Sequence, residues 1–179
     1  MNYADIKKYD IANGVGVRVS LFVSGCRHHC KGCFNSEAWD FSYGKPFTDE
    51  TIEEIIAAVN KDYIRGLSLL GGEPLDPDNR SEVLRLLQVF RARFPEKTVW
   101  CYSGYFFDTE LLPQIDAGDA TLLQLLELVD VLVDGRFVEA QKDLDLRFRG
   151  SSNQRILDVP RSLQQRCPVL LPGNWSIEH

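Results

Sequence analysis

The chain has 179 residues, 44% of them apolar and 26% charged, which suits one domain with a sizeable core and excludes a disordered or low-complexity chain. Its net charge of −6 argues against nucleic-acid binding over the whole surface, because that binding needs clustered cations to offset phosphates. No apolar run approaches the roughly 20 residues that span a bilayer and no export signal is apparent, so a single domain over residues 1–179, in the cytoplasm and without membrane contact, is expected.

Asn2 to Gly16 has no clear period and ends in the turn-prone Asn13-Gly14-Val15-Gly16, so it reads as an irregular lead-in or a hairpin. Val17 to Ser24 is rich in β-branched and aromatic residues and forms a strand that delivers the chain to Gly25. Thr48 can cap a helix in which Ile52, Ile55, Ile56 and Val59 make one buried stripe. Leu67 to Leu70 is a short strand running into Gly71-Gly72-Glu73-Pro74. Ser81 to Phe94 then repeats the amphipathic helix with Val83, Leu86, Leu87 and Phe90, and Pro95 ends it. Thr98 to Tyr102 is the next strand, followed by Ser103-Gly104 and a helical stretch from about Asp108 that tolerates Pro113 only in its first turns.

A leucine-rich helix from Thr121 to Leu128 leads to the strand Val129 to Val133 and the turn Asp134-Gly135. A last strand, Ile156 to Val159, precedes a Pro-punctuated tail. Alternating strands and helices of this length predict an α/β fold with a mainly parallel sheet, open or curled into a partial barrel. Every charged residue from Asp108 to Asp134 is acidic and a run of arginines follows, which reads as two solvated faces of opposite sign.

Five cysteines in a chain with no export signal favour reduced thiols over a disulfide framework. Three of them, Cys26, Cys30 and Cys33, sit on one loop at a strand end. Three soft ligands without a fourth point to an iron–sulfur cluster with an open iron more than to a structural zinc site. Zinc would require His28, His29 or a distant cysteine to complete its shell. Cys101 and Cys167 read as small hydrophobes. Gly71-Gly72-Glu73-Pro74 leaves the end of the second strand; if the two strands are neighbours, its bare backbone and its carboxylate face the cysteine loop, and Glu73 could accept hydrogen bonds from an ammonium group, the alternative being a tight turn with an exposed Glu.

Cys-x3-Cys-x2-Cys followed by Gly-Gly-Glu-Pro resembles the radical S-adenosylmethionine (SAM) superfamily. Cys26 to Asn35, Trp39, Asp134-Gly135-Arg136-Phe137 and Arg149-Gly150-Ser151-Ser152-Asn153-Gln154-Arg155 are similar to the anaerobic ribonucleoside-triphosphate reductase activating proteins within it. Many superfamily members carry an aromatic residue just before the third cysteine; here Gly32 precedes it and Phe34 follows.

The resemblance implies a partial (β/α) barrel of the radical SAM type, a [4Fe-4S] cluster on Cys26, Cys30 and Cys33, and SAM chelated by the open iron. It implies that Gly71, Gly72, Glu73 and Pro74 fix the methionine end. By position, Asn35 would touch the methionine part, and Ser103, Gly104 and Asp134 the ribose or adenine. It further implies an oxidoreductase that generates a glycyl radical on the reductase, with a small flavin or iron–sulfur protein as electron donor. The alternatives are an activase resembling the pyruvate formate-lyase activating enzyme, an enzyme resembling the 7-carboxy-7-deazaguanine synthases, and a zinc-binding module without activity.

Overall fold

A computed structural model of the chain describes residues 1–173 and 175; the expected unit 1–179 and its tail otherwise extend outside the described residues. The strands are β1 (Asn2–Asp10), β2 (Val17–Val23), β3 (Lys45–Pro46), β4 (Ile64–Gly71), β5 (Thr98–Tyr102), β6 (Val131–Asp134) and β7 (Arg155–Asp158). The α-helices are α1 (Asp49–Val59), α2 (Arg80–Arg93), α3 (Leu112–Asp116), α4 (Ala120–Glu127) and α5 (Val159–Gln165).

The strands form one sheet in the order β3-β1-β2-β4-β5-β6-β7. This corrects the expectation of a mainly parallel sheet in a partial barrel of the radical SAM type: the sheet is mixed. Pairings β2–β4, β4–β5 and β5–β6 are parallel, whereas β1–β2, β1–β3 and β6–β7 are antiparallel. The reason lies in the connections. Parallel neighbours need a crossover of a dozen or more residues, usually a helix, and only the segments carrying α1, α2 and α3–α4 supply one. The turn from β1 to β2 is too short to cross the sheet, so the lead-in is a hairpin whose first arm is a nine-residue strand. Between β6 and β7 the chain makes only one 3-10 turn, Glu139–Gln141, and re-enters at the end it left.

The apolar stripes expected on α1 and α2 are buried against one face of the sheet: Ile55, Val59, Val83, Leu86, Leu87 and Phe90 have no exposed surface. Thr48 precedes α1, and its backbone N–H donates to Thr51 Oγ1 at 3.2 Å. Pro113 lies in the first turn of α3, where its missing N–H costs nothing. The expected strand over Ile156–Val159 ends at Asp158, whose carboxylate accepts from Arg161 N and starts α5. The opposite face carries Trp100, Val131, Val133 and Ile156.

Beneath that face lies Arg18, fully buried. Its guanidinium donates to Ser68 Oγ at 2.7 Å, Thr98 Oγ1 at 2.9 Å, the carbonyls of Leu67 and Thr98 at 2.8 Å, and that of Val15 at 3.3 Å. Five neutral acceptors match five N–H donors, so one side chain ties β2, β4, β5 and the hairpin turn together. Burial brings its ionisation down to about 10.

The acidic and basic blocks are not two separate solvated faces. Arg155 pairs with Asp108 and Asp134, Arg136 with Glu110, and Arg166 with Asp116. Earlier arginines take two more of the acids: Arg80 pairs with Asp119 and Arg91 with Asp130. The charge segregation along the chain is therefore a pairing code across the fold.

Candidate functional site

At the carboxyl ends of β2, β4, β5 and β6 a cavity of about 350 Å3 opens. The three loop cysteines line it. Cys26 is 8% exposed, and Cys30 and Cys33 are half-buried. Burial pushes the Cys26 thiol up to about 11 and raises Cys30 as well. The backbone N–H of Asn35 lies 3.4 Å from Cys33 Sγ and donates to it.

Among the described residues no three His, Cys, Asp or Glu side chains converge closely enough to hold one metal ion. The three thiols line one cavity, and three soft ligands without a fourth fit an iron–sulfur cluster, in which each cysteine binds a different iron, better than a structural zinc ion, which closes its shell with four protein groups.

Gly71, Gly72 and Glu73 line the same cavity. A side chain at Gly72 would run into the carbonyl oxygens of Gly25 at 2.5 Å and Ala38 at 2.9 Å, so this glycine is required by the close approach of the cysteine loop. The bond from Gly72 N to Val23 O, at 2.7 Å, and that from Glu73 N to Gly25 O, at 2.8 Å, fix the two loops to each other.

Glu73 is 1% exposed and is the centre of a polar cluster that sequence reading did not find. Its Oε1 accepts from Leu75 N at 2.9 Å; its Oε2 accepts from Gly104 N at 2.7 Å and from His28 Nε2 at 2.9 Å. His28 is thereby drawn out of the loop, edge-on to Tyr105 with ring centroids 4.5 Å apart. Its ring occupies the space that a side chain at Gly104 would need. His29 turns the other way and stacks on Trp39 at 4.6 Å. Asn79 is fully buried and donates to the carbonyls of Ser24 at 3.0 Å and Glu73 at 2.9 Å, closing the same joint from beneath.

Glu73→Gln is expected to lower thermal stability by about 1–3 kcal/mol, because an amide offers one accepting oxygen to three buried donors. A melting temperature within about a degree of the parent would remove this account of Glu73.

Asn35, Ser103 and Gly104 also border the cavity. Pro74 and Asp134 do not. Asp134 is fully buried behind the wall, accepting from Phe107 N at 2.8 Å and from Arg155 at 2.5 and 2.9 Å. The late Arg149 to Gln154 segment closes the far side, with Arg149, Gly150 and Gln154 on the cavity wall beside Phe137 and Phe148. Gln154 Oε1 accepts from the backbone of Gly150 and Ser151, and its Nε2 donates to Gly135 O at 2.9 Å. Tyr102 also faces the cavity. Its hydroxyl and the Nε of Arg149 are buried and have no hydrogen-bond partner among the described residues.

Residues 12–157 match the family model described as a 4Fe-4S single cluster domain. The chain is 42% identical over 158 residues to the anaerobic ribonucleoside-triphosphate reductase-activating protein of Enterobacteria phage T4, covering 87% of this chain and 93% of that protein. It is 44% identical over 156 residues to the protein of the same name from Escherichia coli (strain K12), covering 86% and 96% of the two chains. The Vibrio cholerae serotype O1 protein of that name is 44% identical over 158 residues, covering 87% and 97%. With three thiols around one cavity and a glycine-glycine-glutamate loop fastened beside them, the chain belongs to the family of anaerobic ribonucleoside-triphosphate reductase-activating proteins.

Proposed function

We propose that this chain is a radical SAM activase that cleaves SAM reductively at a [4Fe-4S] cluster and generates a glycyl radical on anaerobic ribonucleoside-triphosphate reductase. The observation that carries the reading is the joint between the cysteine loop and the Gly71 to Glu73 loop, which puts a cluster site and a carboxylate on one cavity. Cys26, Cys30 and Cys33 would hold three irons of the cluster and leave the fourth open. When bound, the cluster supplies the electron that splits a carbon–sulfur bond of SAM into methionine and a 5′-deoxyadenosyl radical.

The protein's own part is to orient and enclose. A carboxylate has about four acceptor positions, and Glu73 has committed three, so one remains for the ammonium of the methionine part. The Gly71-Gly72 backbone and Asn35 border the same end, while Ser103 and Gly104 border the next strand end. Pro74 and Asp134 act from behind the wall, Asp134 by holding Phe107 N and Arg155 in place.

The partner in this reading is the reductase, and a small flavin or iron–sulfur protein is the electron donor. Residues 1–179 act as one unit, without nucleic acid. Among the described residues no helix is long and apolar enough to cross a membrane.

The test is anaerobic incubation of the reconstituted protein with SAM, a reductant and the reductase. A glycyl electron paramagnetic resonance signal on the reductase, with one methionine formed per SAM consumed, is expected. SAM cleavage with a signal appearing only on a different glycyl-radical enzyme would overturn the choice of partner.

A further inference from the structure

The three side chains between Cys26 and Cys30 leave the loop in three directions. Arg27 pairs with Asp76 and Asp78 and lies over the ring of Phe41 at 4.5 Å. His29 is exposed and has a φ of 47°, a left-handed conformation uncommon for a residue with a side chain, and this turn of the backbone sends it to Trp39. His28 goes inward, with 6% of its side chain exposed, and meets Glu73.

A glutamate carboxylate turns about a terminal torsion with only a broad, two-fold preference, so its own rotamer does not fix its plane. Hydrogen bonds must do that. Oε1 is held by Leu75 N at 2.9 Å, and Oε2 by Gly104 N at 2.7 Å and His28 Nε2 at 2.9 Å, which leaves the free acceptor position on Oε1. Two of these donors are backbone groups, one after β4 and one after β5; His28 is the only side chain of the three and comes from the cysteine loop. The space for its ring is specific as well. A Cβ at residue 104 would stand 2.3 Å from His28 Cδ2, so Gly104 both donates to the carboxylate and makes room for the imidazole that shares it.

We propose that His28 is a positioning residue for the ammonium group of SAM: by donating to Glu73 Oε2 it fixes the plane of the carboxylate whose free position on Oε1 takes the ammonium. It acts from the segment that also spaces Cys26 and Cys30, so one short piece of chain sets both the cluster ligands and the aim of Glu73. This assignment rests on the activase reading above.

The test uses the full chain, reconstituted anaerobically with its cluster, and measures equilibrium binding of SAM, methionine and 5′-deoxyadenosine to the parent, His28→Phe and His28→Gln. Phenylalanine keeps a ring against Tyr105 and removes the donor, whereas glutamine restores an N–H near the place of Nε2. His28→Phe is expected to bind SAM and methionine about three- to tenfold more weakly and 5′-deoxyadenosine as tightly as the parent. His28→Gln should recover most of that loss. Iron and sulfide per chain supply the second readout and should equal the parent's in both variants.

Unchanged affinity of His28→Phe for methionine would overturn the assignment, because Glu73 would then need no side-chain partner. A loss shared equally by methionine and 5′-deoxyadenosine, a fall in iron content, or a glutamine variant no better than phenylalanine would also overturn it and leave His28 as packing for the loop. If the parent itself, carrying its cluster, bound neither SAM nor methionine, the activase reading would fall and this assignment with it.

Discussion

Replacing any one of Cys26, Cys30 and Cys33 by alanine is expected to abolish both cluster binding and SAM cleavage, whereas Cys101→Ala and Cys167→Ala retain them. The three loop thiols border one cavity, and two remaining thiols cannot hold a cube that uses three. Cys101 is fully buried on the helix-facing side of β5, and burial keeps its thiol protonated. Its truncation should cost about 1 kcal/mol of stability through a small cavity, without touching the cluster. Cys167 is exposed and lies after α5. Iron and sulfide per chain after anaerobic reconstitution, with the visible absorbance of the cluster, provide the measurement. A cluster lost from either of the latter two variants would show that the ligand set is wrong, and stoichiometric zinc without iron in the parent would sink the cluster altogether.

Arg155→Gln is expected to destabilise the protein by about 3–5 kcal/mol, a fall of about 10 °C in melting temperature. Its partner Asp134 is fully buried and would be left with the Phe107 N–H as its one hydrogen-bond donor. Arg155 also reaches Asp108 at 2.8 Å, so it joins the ends of β6 and β7 to the helical turn Phe107–Leu111 that follows Ser103-Gly104. Both acids therefore lose a cation at once; Asp108 has its carboxyl held below the ordinary range first of all by its hydrogen bond to Arg155. The double variant Asp134→Asn/Arg155→Gln should recover most of the loss, because no buried charge remains unpaired. Thermal unfolding of the single and double variants decides the matter. A single variant melting within about two degrees of the parent would mean that Asp134 finds other solvation.

Much of the site is legible in the chain because its signals are local. Three cysteines within eight residues and a glycine-glycine-glutamate turn at the next strand end need no tertiary information to be noticed. What Glu73 does is different. Its partners His28 and Gly104 lie 45 and 31 residues away, and although both neighbourhoods stand out in the chain, nothing local pairs either of them with Glu73. Asp134 shows the same ambiguity from the other side: an acid at a strand end can face a ligand or an arginine, and here it faces Arg155.

Strand positions follow from β-branched and aromatic runs, but a two-residue period carries no direction. The antiparallel flanks therefore depend on how long each connection is and whether it contains a helix. Helix α5 is hidden by Pro160, which reads as a breaker until Asp158 is seen to cap the turn that the proline begins.

The neck of the excursion between β6 and β7 is closed by amide side chains. Asn153 donates to Arg136 O at 2.8 Å and Gln154 to Gly135 O at 2.9 Å, directly before Arg155 enters register with Asp134. Beyond that closure Phe148 still packs on Trp100 of β5, so only the exposed tip from Asp143 to Asp145 is uncoupled from the sheet. That tip is thus the part of the excursion where residues can be inserted or deleted at little cost to the framework, leaving the surface beside the cavity open to tailoring toward a particular protein substrate.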